Sequence, residues 1–192
     1  MPVTSRRMHY TYAEYIALEE FSDVRHEYLD GEIYALAGGT LEHGVLASAA
    51  QAIIRPQLPD GCRTFTSDVR VRIVSTGLST YPDGGVICGE AAHATDDLLA
   101  ITNPIVLIEV TSNSSDEYDR GDKLRHYQTI PSVMEVMIIS HRQPRVSVHR
   151  HTEHRWMSVE AGKGQSVTLE SINAVVDVDD LYRDVIAGIT RS

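Results

Sequence analysis

Tyr81-Pro82-Asp83-Gly84-Gly85-Val86-Ile87-Cys88, then Asn103-Pro104-Ile105-Val106-Leu107-Ile108-Glu109-Val110-Thr111-Ser112, then Asp119-Arg120-Gly121-Asp122-Lys123-Leu124-Arg125-His126-Tyr127: these three runs decide the fold. The first two are short and largely apolar and the third carries mixed charge, so the stretch reads strand, strand, helix. Asp83 stands at the start of the first strand, and Glu109 interrupts an otherwise apolar run near the end of the second. A carboxylate in a buried strand carries a desolvation cost unless something positive meets it, and a metal ion or a lysine would serve.

Working outward, Thr11-Tyr12-Ala13-Glu14 has capping-box spacing and starts a helix that should stop near Phe21. Residues 25–36 hold two strand-like runs joined by Asp30-Gly31, a type I′ hairpin signal. Thr40 can cap a second helix running to about Arg55, ended by Pro56. From Cys62 to Ile73 the period changes to two, and residues 75–80 read as a loop. Pro131 breaks the helix of the third run, and residues 133–139 form another apolar strand. Residues 145–150, 154–159 and 165–169 look like a meander covering one end of the sheet, and a last helix begins at Val178 with an apolar tail at Val185, Ile186 and Ile189. That tail either closes the core or forms an interface. Together these elements predict an α/β or α+β domain with a mixed sheet, residues 1–192 forming one unit, and parallel pairing between the strands of Glu109 and Met137.

The balance is acidic, with net charge -10, which argues against general DNA binding through an overall basic surface. No apolar run approaches the roughly 20 residues of a membrane span, so a soluble, cytoplasmic, membrane-free protein is expected. Cys62 and Cys88 lie in no metal-binding or redox spacing and are expected to be packing residues in a reducing compartment.

Asp83, Glu109 and Lys123 are the leading chemical group. Two neighbouring strands with one carboxylate each suit Mg²⁺ or Mn²⁺, to which the Val110 carbonyl could add a ligand; an ammonium could orient water or neutralise charge. Each residue also has an ordinary alternative: Asp83 as a turn residue, Glu109 paired with an arginine, Lys123 as a solvated helix residue. Glu27 could pair with Arg25 or His26 across the hairpin. His43 reads as a site-edge or structural residue, and Asp68 as a turn residue with a smaller claim to the site. His141, His149, His151 and His154 lack the paired spacing of a zinc site; with Arg142, Arg145, Arg150 and Arg155 they read as a solvated basic edge that could touch a phosphate backbone.

Pro82-Asp83, Glu109-Val110-Thr111-Ser112 and Asp119 to Lys123 with Tyr127 together resemble the Uma-two family of restriction endonuclease-like proteins, within the PD-(D/E)XK nuclease superfamily. Glu27 to Glu32, His43, Ser67 to Val71 and Pro131 to Val136 also look like its blocks, so the resemblance spans about Tyr12 to Ile139. It implies a restriction endonuclease-like core and divalent metal on Asp83 and Glu109. It also implies a lysine moved from position 111, here Thr111, to Lys123, and an additional acid at Glu27. The proline often seen after the serine is Asn113 here. The activity implied is metal-dependent hydrolysis of phosphodiester bonds in DNA, often by a homodimer. Thr111 and the acidic balance motivate the alternative of an inactive nuclease-fold module that binds nucleic acid or regulates a partner.

Overall fold

A computed structural model describes residues 9–36, 38–112 and 118–189, with side chains through Val185. Helix α1 (Tyr12–Phe21) starts where the Thr11 side chain accepts from the Glu14 amide and Glu14 answers the Thr11 amide, the capping box its sequence foretells. Strands β1 (His26–Leu29) and β2 (Glu32–Ala35) pair antiparallel around Asp30 and Gly31, both at positive φ as a type I′ turn requires. Helix α2 (Leu41–Ile54) begins on Thr40, whose hydroxyl accepts from the His43 amide.

The central sheet contains β3 (Cys62–Thr66), β6 (Gly84–Cys88), β9 (Val106–Val110), β10 (Glu135–Ile139), β11 (Arg145–His151) and β12 (Trp156–Gly162) in the order β12-β11-β10-β9-β6-β3. Strands β9 and β10 run parallel, with Met137 opposite Ile108 and Ile138 opposite Glu109, as the intervening helix leads one to expect. That helix, α3, is a π-helical turn at Asp119–Lys123 continued by α-helix at Leu124–Tyr127.

A second six-stranded sheet was not foreseen. It joins β1 and β2 to β4 (Val71–Ile73), β5 (Leu78–Thr80), β7 (His93–Ala94) and β8 (Asp97–Ile101) in the order β2-β1-β5-β4-β8-β7. The expected loop at residues 75–80 thus contains β5, because Thr76 and Gly77 close a tight turn onto Ile73 and return the chain beside β4. The polar segment before Asn103 likewise holds β7 and β8. The meander is corrected as well: β11 and β12 extend the central sheet, whereas β13 (Ser166–Leu169) leaves it to pair with β14 (Ala174–Asp177). Buried Glu135 directs that departure by accepting from the Glu170 and Ser171 amides and from Arg150 Nε. Helix α4 (Val178–Ile189) follows, and Val185 packs on the main core, while the side chains of Ile186 and Ile189 lie outside the described residues.

Strand alternation divides the two cores. Val106, Ile108 and Val110 face the core shared with α2, α4 and the β13–β14 hairpin, whereas Leu107 faces the core between the two sheets, capped by Leu124 and Tyr127 of α3. Glu109 therefore points to the face where α3 and the second sheet meet.

Cys62 and Cys88 are not free packing residues. They stand directly opposite on β3 and β6 and form a disulfide while still packing on the main core. Register across an antiparallel pair, not sequence spacing, brings them together. Arg150 is likewise no solvated residue, since it pairs with Glu135 and Glu170.

The two glycines after Asp83 are needed for close approach. A Cβ on Gly85 would lie 2.7 Å from the Val106 carbonyl oxygen and 2.4 Å from the Phe65 ring. Backbone cannot yield as a side-chain tip can, so Gly85→Ala should lower the free energy of unfolding by about 1–3 kcal/mol. Urea denaturation at neutral pH checks this; an unchanged midpoint would mean that β6 and β9 separate freely.

Candidate functional site

Glu109 approaches the end of β9, and α3 carries Asp119, Lys123 and Tyr127 four residues apart, so one helix face presents all three to it. Lys123 Nζ lies 3.0 Å from Glu109 Oε1, 3.1 Å from Glu27 Oε1 and 3.9 Å from Asp119 Oδ1. The Tyr127 hydroxyl donates to Glu109 Oε1. Glu27 is delivered by β1, whose neighbour β5 ends at Thr80; the Thr80 hydroxyl donates to Glu27 Oε1 and that of Tyr118 to Glu27 Oε2, at 3.2 Å. Glu27 therefore does not pair with Arg25 or His26, which turn to Asp68 and Glu19.

Asp83 is positioned differently. Its Oδ2 accepts from the Val110 amide at 2.7 Å and lies 3.2 Å from His43 Nε2, at the first turn of α2. The chain entering Asp83 is fixed by Tyr81, whose hydroxyl donates to Glu19 Oε2 at 2.6 Å and accepts from Arg70 Nη1 at 2.8 Å. Asp83 and His43 retain 18% and 20% side-chain exposure, against 4% for Glu109 and 6% for Lys123, so solvent reaches the group from the Asp83 side.

Four carboxylates, Glu27, Asp83, Glu109 and Asp119, gather around one ammonium and one imidazole. The excess of negative charge shows in the titrations. Burial pushes Glu109 up to about 8, with Asp83 and Asp119 adding to the rise and Lys123 and Tyr127 opposing it. Burial presses Lys123 down, but Glu109, Tyr127, Glu27 and Asp119 outweigh it and hold the ammonium well above the usual range. The hydrogen bond to Asp83 raises His43 against its burial, with the Val110 backbone and Asp119 also contributing. Lys123 is one of only two lysines in the chain, the other being Lys163.

The donor set suits a hard divalent cation. Among the described residues, Asp83 Oδ1 and Glu109 Oε2 accept no hydrogen bond, and Mg²⁺ commonly takes one or two carboxylates with water and phosphate completing its octahedron. No cage of three or more His, Cys, Asp or Glu side chains is preformed among the described residues. The Val110 amide donates to Asp83 Oδ2, and the Val110 backbone also hydrogen-bonds His43.

The structure thus brings together Asp83, Glu109, Lys123 and Glu27, with His43 at the edge. Asp68 stays outside, exposed and paired with Arg25. Of the histidines, His141 meets Thr111 at 3.1 Å while His154 is exposed. Thr111, at the position where a lysine is absent, is fully buried and bonds the Ile139 carbonyl through its amide. Asn113 lies outside the described residues. Thr80, Tyr118 and the site roles of Asp119 and Tyr127 were not singled out from sequence; the four-residue spacing of Asp119, Lys123 and Tyr127 was the available signal.

Both the fold and this group of residues point to a restriction endonuclease-like protein. The Uma2 family model, described as "Putative restriction endonuclease", matches residues 12–178, and the chain belongs to that family. It is 31% identical over 172 residues to the uncharacterized protein slr1290 of Synechocystis sp., covering 88% of this chain and 90% of the relative. A second uncharacterized Synechocystis protein, sll1609, is 30% identical over 162 residues, with 83% and 91% covered. Among solved structures, the crystal structure of a putative nuclease belonging to DUF820, from Anabaena variabilis, superposes with a TM-score of 0.67 at 17% identity, covering 84% of this chain and 92% of that one. That likeness supports the fold.

Burial raises Glu109 in the folded protein from the reference carboxyl value of 4.5 to about 8, against the opposing pull of Lys123. A raised folded pKa contributes stability that is complete below the unfolded value and is lost as pH climbs through the folded one. Metal-free protein should therefore lose stability between about pH 4.5 and 8 through this residue, and Glu109→Gln, which has no proton to release, should escape that part of the loss. Urea midpoints of both proteins at pH 5.5 and 8.5, in chelator, test this. The variant should gain on wild type at the higher pH, and an equal difference at both would exclude the assignment.

Proposed function

We propose that the protein is a metal-dependent endonuclease that hydrolyses phosphodiester bonds in DNA. The observation that carries this is Lys123 Nζ at 3.0 Å from Glu109: the helix places an ammonium against the strand carboxylate even though position 111 is threonine. Such an arrangement favours an active site over a nuclease-fold module that only binds. DNA as substrate rests on the family's description as restriction endonucleases.

Asp83 and Glu109 would hold Mg²⁺ or Mn²⁺, which when bound polarises a phosphate oxygen and activates a water nucleophile. The chain's own residues do the remainder. His43 and the Val110 amide fix one oxygen of Asp83 and leave the other without a hydrogen bond among the described residues. Tyr127 orients Glu109 from α3, and Lys123 supplies fixed positive charge where a phosphate gains negative charge.

No described helix is long and apolar enough to cross a membrane. Work on cellular DNA would place the protein in the cytoplasm, and a homodimer presenting two sites to two strands belongs to the same proposal; sedimentation of the active sample reads that assembly.

Supercoiled plasmid and single-stranded DNA incubated with Mg²⁺ or Mn²⁺ give the direct assay. Wild type should nick or cut, chelator should stop it, and Asp83→Ala and Glu109→Ala should each reduce the rate by about two orders of magnitude or more, as several kcal/mol of transition-state stabilisation requires. Metal-independent cutting, or full activity in either folded variant, would overturn the assignment.

A further inference from the structure

Glu27 resembles a third acid for a metal, yet its surroundings assign it other work. Both of its oxygens are taken by protein donors: Oε1 by Lys123 and Thr80, Oε2 by Tyr118. Its side chain is 6% exposed and arrives from the second sheet, not from the central sheet where Asp83 precedes β6 and Glu109 lies on β9. Glu109 differs, because among the described residues only one of its oxygens is engaged, by Lys123 and Tyr127. Lys123 thus bridges one carboxylate whose position is fixed and one with an oxygen to spare. A divalent cation entering from the Asp83 side meets an ammonium already resting on Glu109, and like charges a few ångströms apart oppose each other.

On the reading that this is a metal-dependent nuclease, we propose that Lys123 is a built-in counter-ion that shares Glu109 in the metal-free protein and gives it up to the incoming cation, while Glu27, held by Thr80 and Tyr118, is a positioning residue that retains the lysine beside the site. Glu27 acts through Lys123 and does not ligate the metal. The exchange leaves the ammonium within reach of a phosphate bound to the cation, which is where its charge is useful. It also explains why an acid on the second sheet joins the cluster: without Glu27, a lysine released from Glu109 would keep, among the described residues, Asp119 at 3.9 Å as its close carboxylate partner.

Calorimetric titration of Mg²⁺ into wild type, Lys123→Gln, Glu27→Gln and the double variant tests this without any cleavage assay. Lys123→Gln should bind Mg²⁺ at least about tenfold more tightly, the scale of one unit charge at this range. Glu27→Gln should weaken binding when Lys123 is present, since the lysine then clings to Glu109, and should do little when position 123 is glutamine. Equal or weaker binding by Lys123→Gln, or the same loss from Glu27→Gln in both backgrounds, would overturn the inference and leave the nuclease proposal standing. Absence of Mg²⁺ binding in both wild type and folded Lys123→Gln would remove the nuclease proposal and this inference together. Should the variants not fold, crystal structures of wild type with and without Mn²⁺ decide the matter: Lys123 Nζ should leave Glu109 and stay on Glu27, and a Glu27 oxygen in the metal's coordination shell would refute the assignment.

Discussion

The ion pair between Glu109 and Lys123 is the constraint on which the structure turns. Glu109 lies in a strand that is buried on both sides, and a carboxylate there is tolerable only with a cation and hydrogen-bond donors at hand. The chain supplies them by crossing from β9 over the sheet through α3 before returning as β10. Lys123 and Tyr127 lie on the face of that crossover which meets Glu109, so the connection that makes β9 and β10 parallel also neutralises the charge between them. Fold and site are in this respect one solution.

The second sheet gains meaning from the same pair. Its apolar residues Val71, Ile73 and Leu78 pack beneath Leu107 and Ile138, which stabilises the layer, but its adjacent strands β1 and β5 also carry Glu27 and Thr80 to the lysine. A network of Arg70, Asp97, Tyr81 and Glu19 ties that sheet to α1 and to the segment entering Asp83. Arg70 is 6% exposed and Asp97 2%, so this network is paired and hydrogen-bonded throughout, as buried charge must be. The acids of the site therefore come from two layers whose relative position is fixed by polar contacts as well as by packing.

Local chemistry was legible in the sequence because its causes are local. Thr11 with Glu14, Asp30-Gly31, Thr40 and Pro131 mark ends and turns through contacts spanning a few residues, and the structure keeps each of them. Glu109 was legible for a different reason: a charge in an apolar run demands a partner wherever the chain finds one. Thr80 and Tyr118 were not, since a hydroxyl at a strand end or a helix start has many possible acceptors until the sheet sets which carboxylate is near. The departure of β13 from the meander was hidden likewise. Glu135 lies 35 residues from Glu170 in sequence, and the turn it holds passes through Asn173 at positive φ, a conformation one residue in isolation does not announce. The disulfide belongs to the same group, its partners being 26 residues apart and joined by register alone.

Placing the lysine on α3 and not at position 111 has an energetic consequence. Position 111 lies on the Glu109 face of the sheet and is fully buried by threonine, whose hydroxyl meets His141; a long cationic side chain there would displace that contact and would have no helix-borne freedom to withdraw. From α3 the ammonium reaches Glu109 end-on and can be held by a carboxylate from another layer. On the proposed reading the same charges would serve two states. In the metal-free protein, Lys123 offsets the buried acids, and its removal leaves them uncompensated at a cost on the order of 3–5 kcal/mol. On the metal-dependent reading proposed above, a divalent cation on Asp83 and Glu109 would lower that demand on the lysine and leave its positive charge available to a phosphate. A strand-borne lysine would have to perform both tasks from one fixed position; a helix-borne lysine with its own acid can divide them.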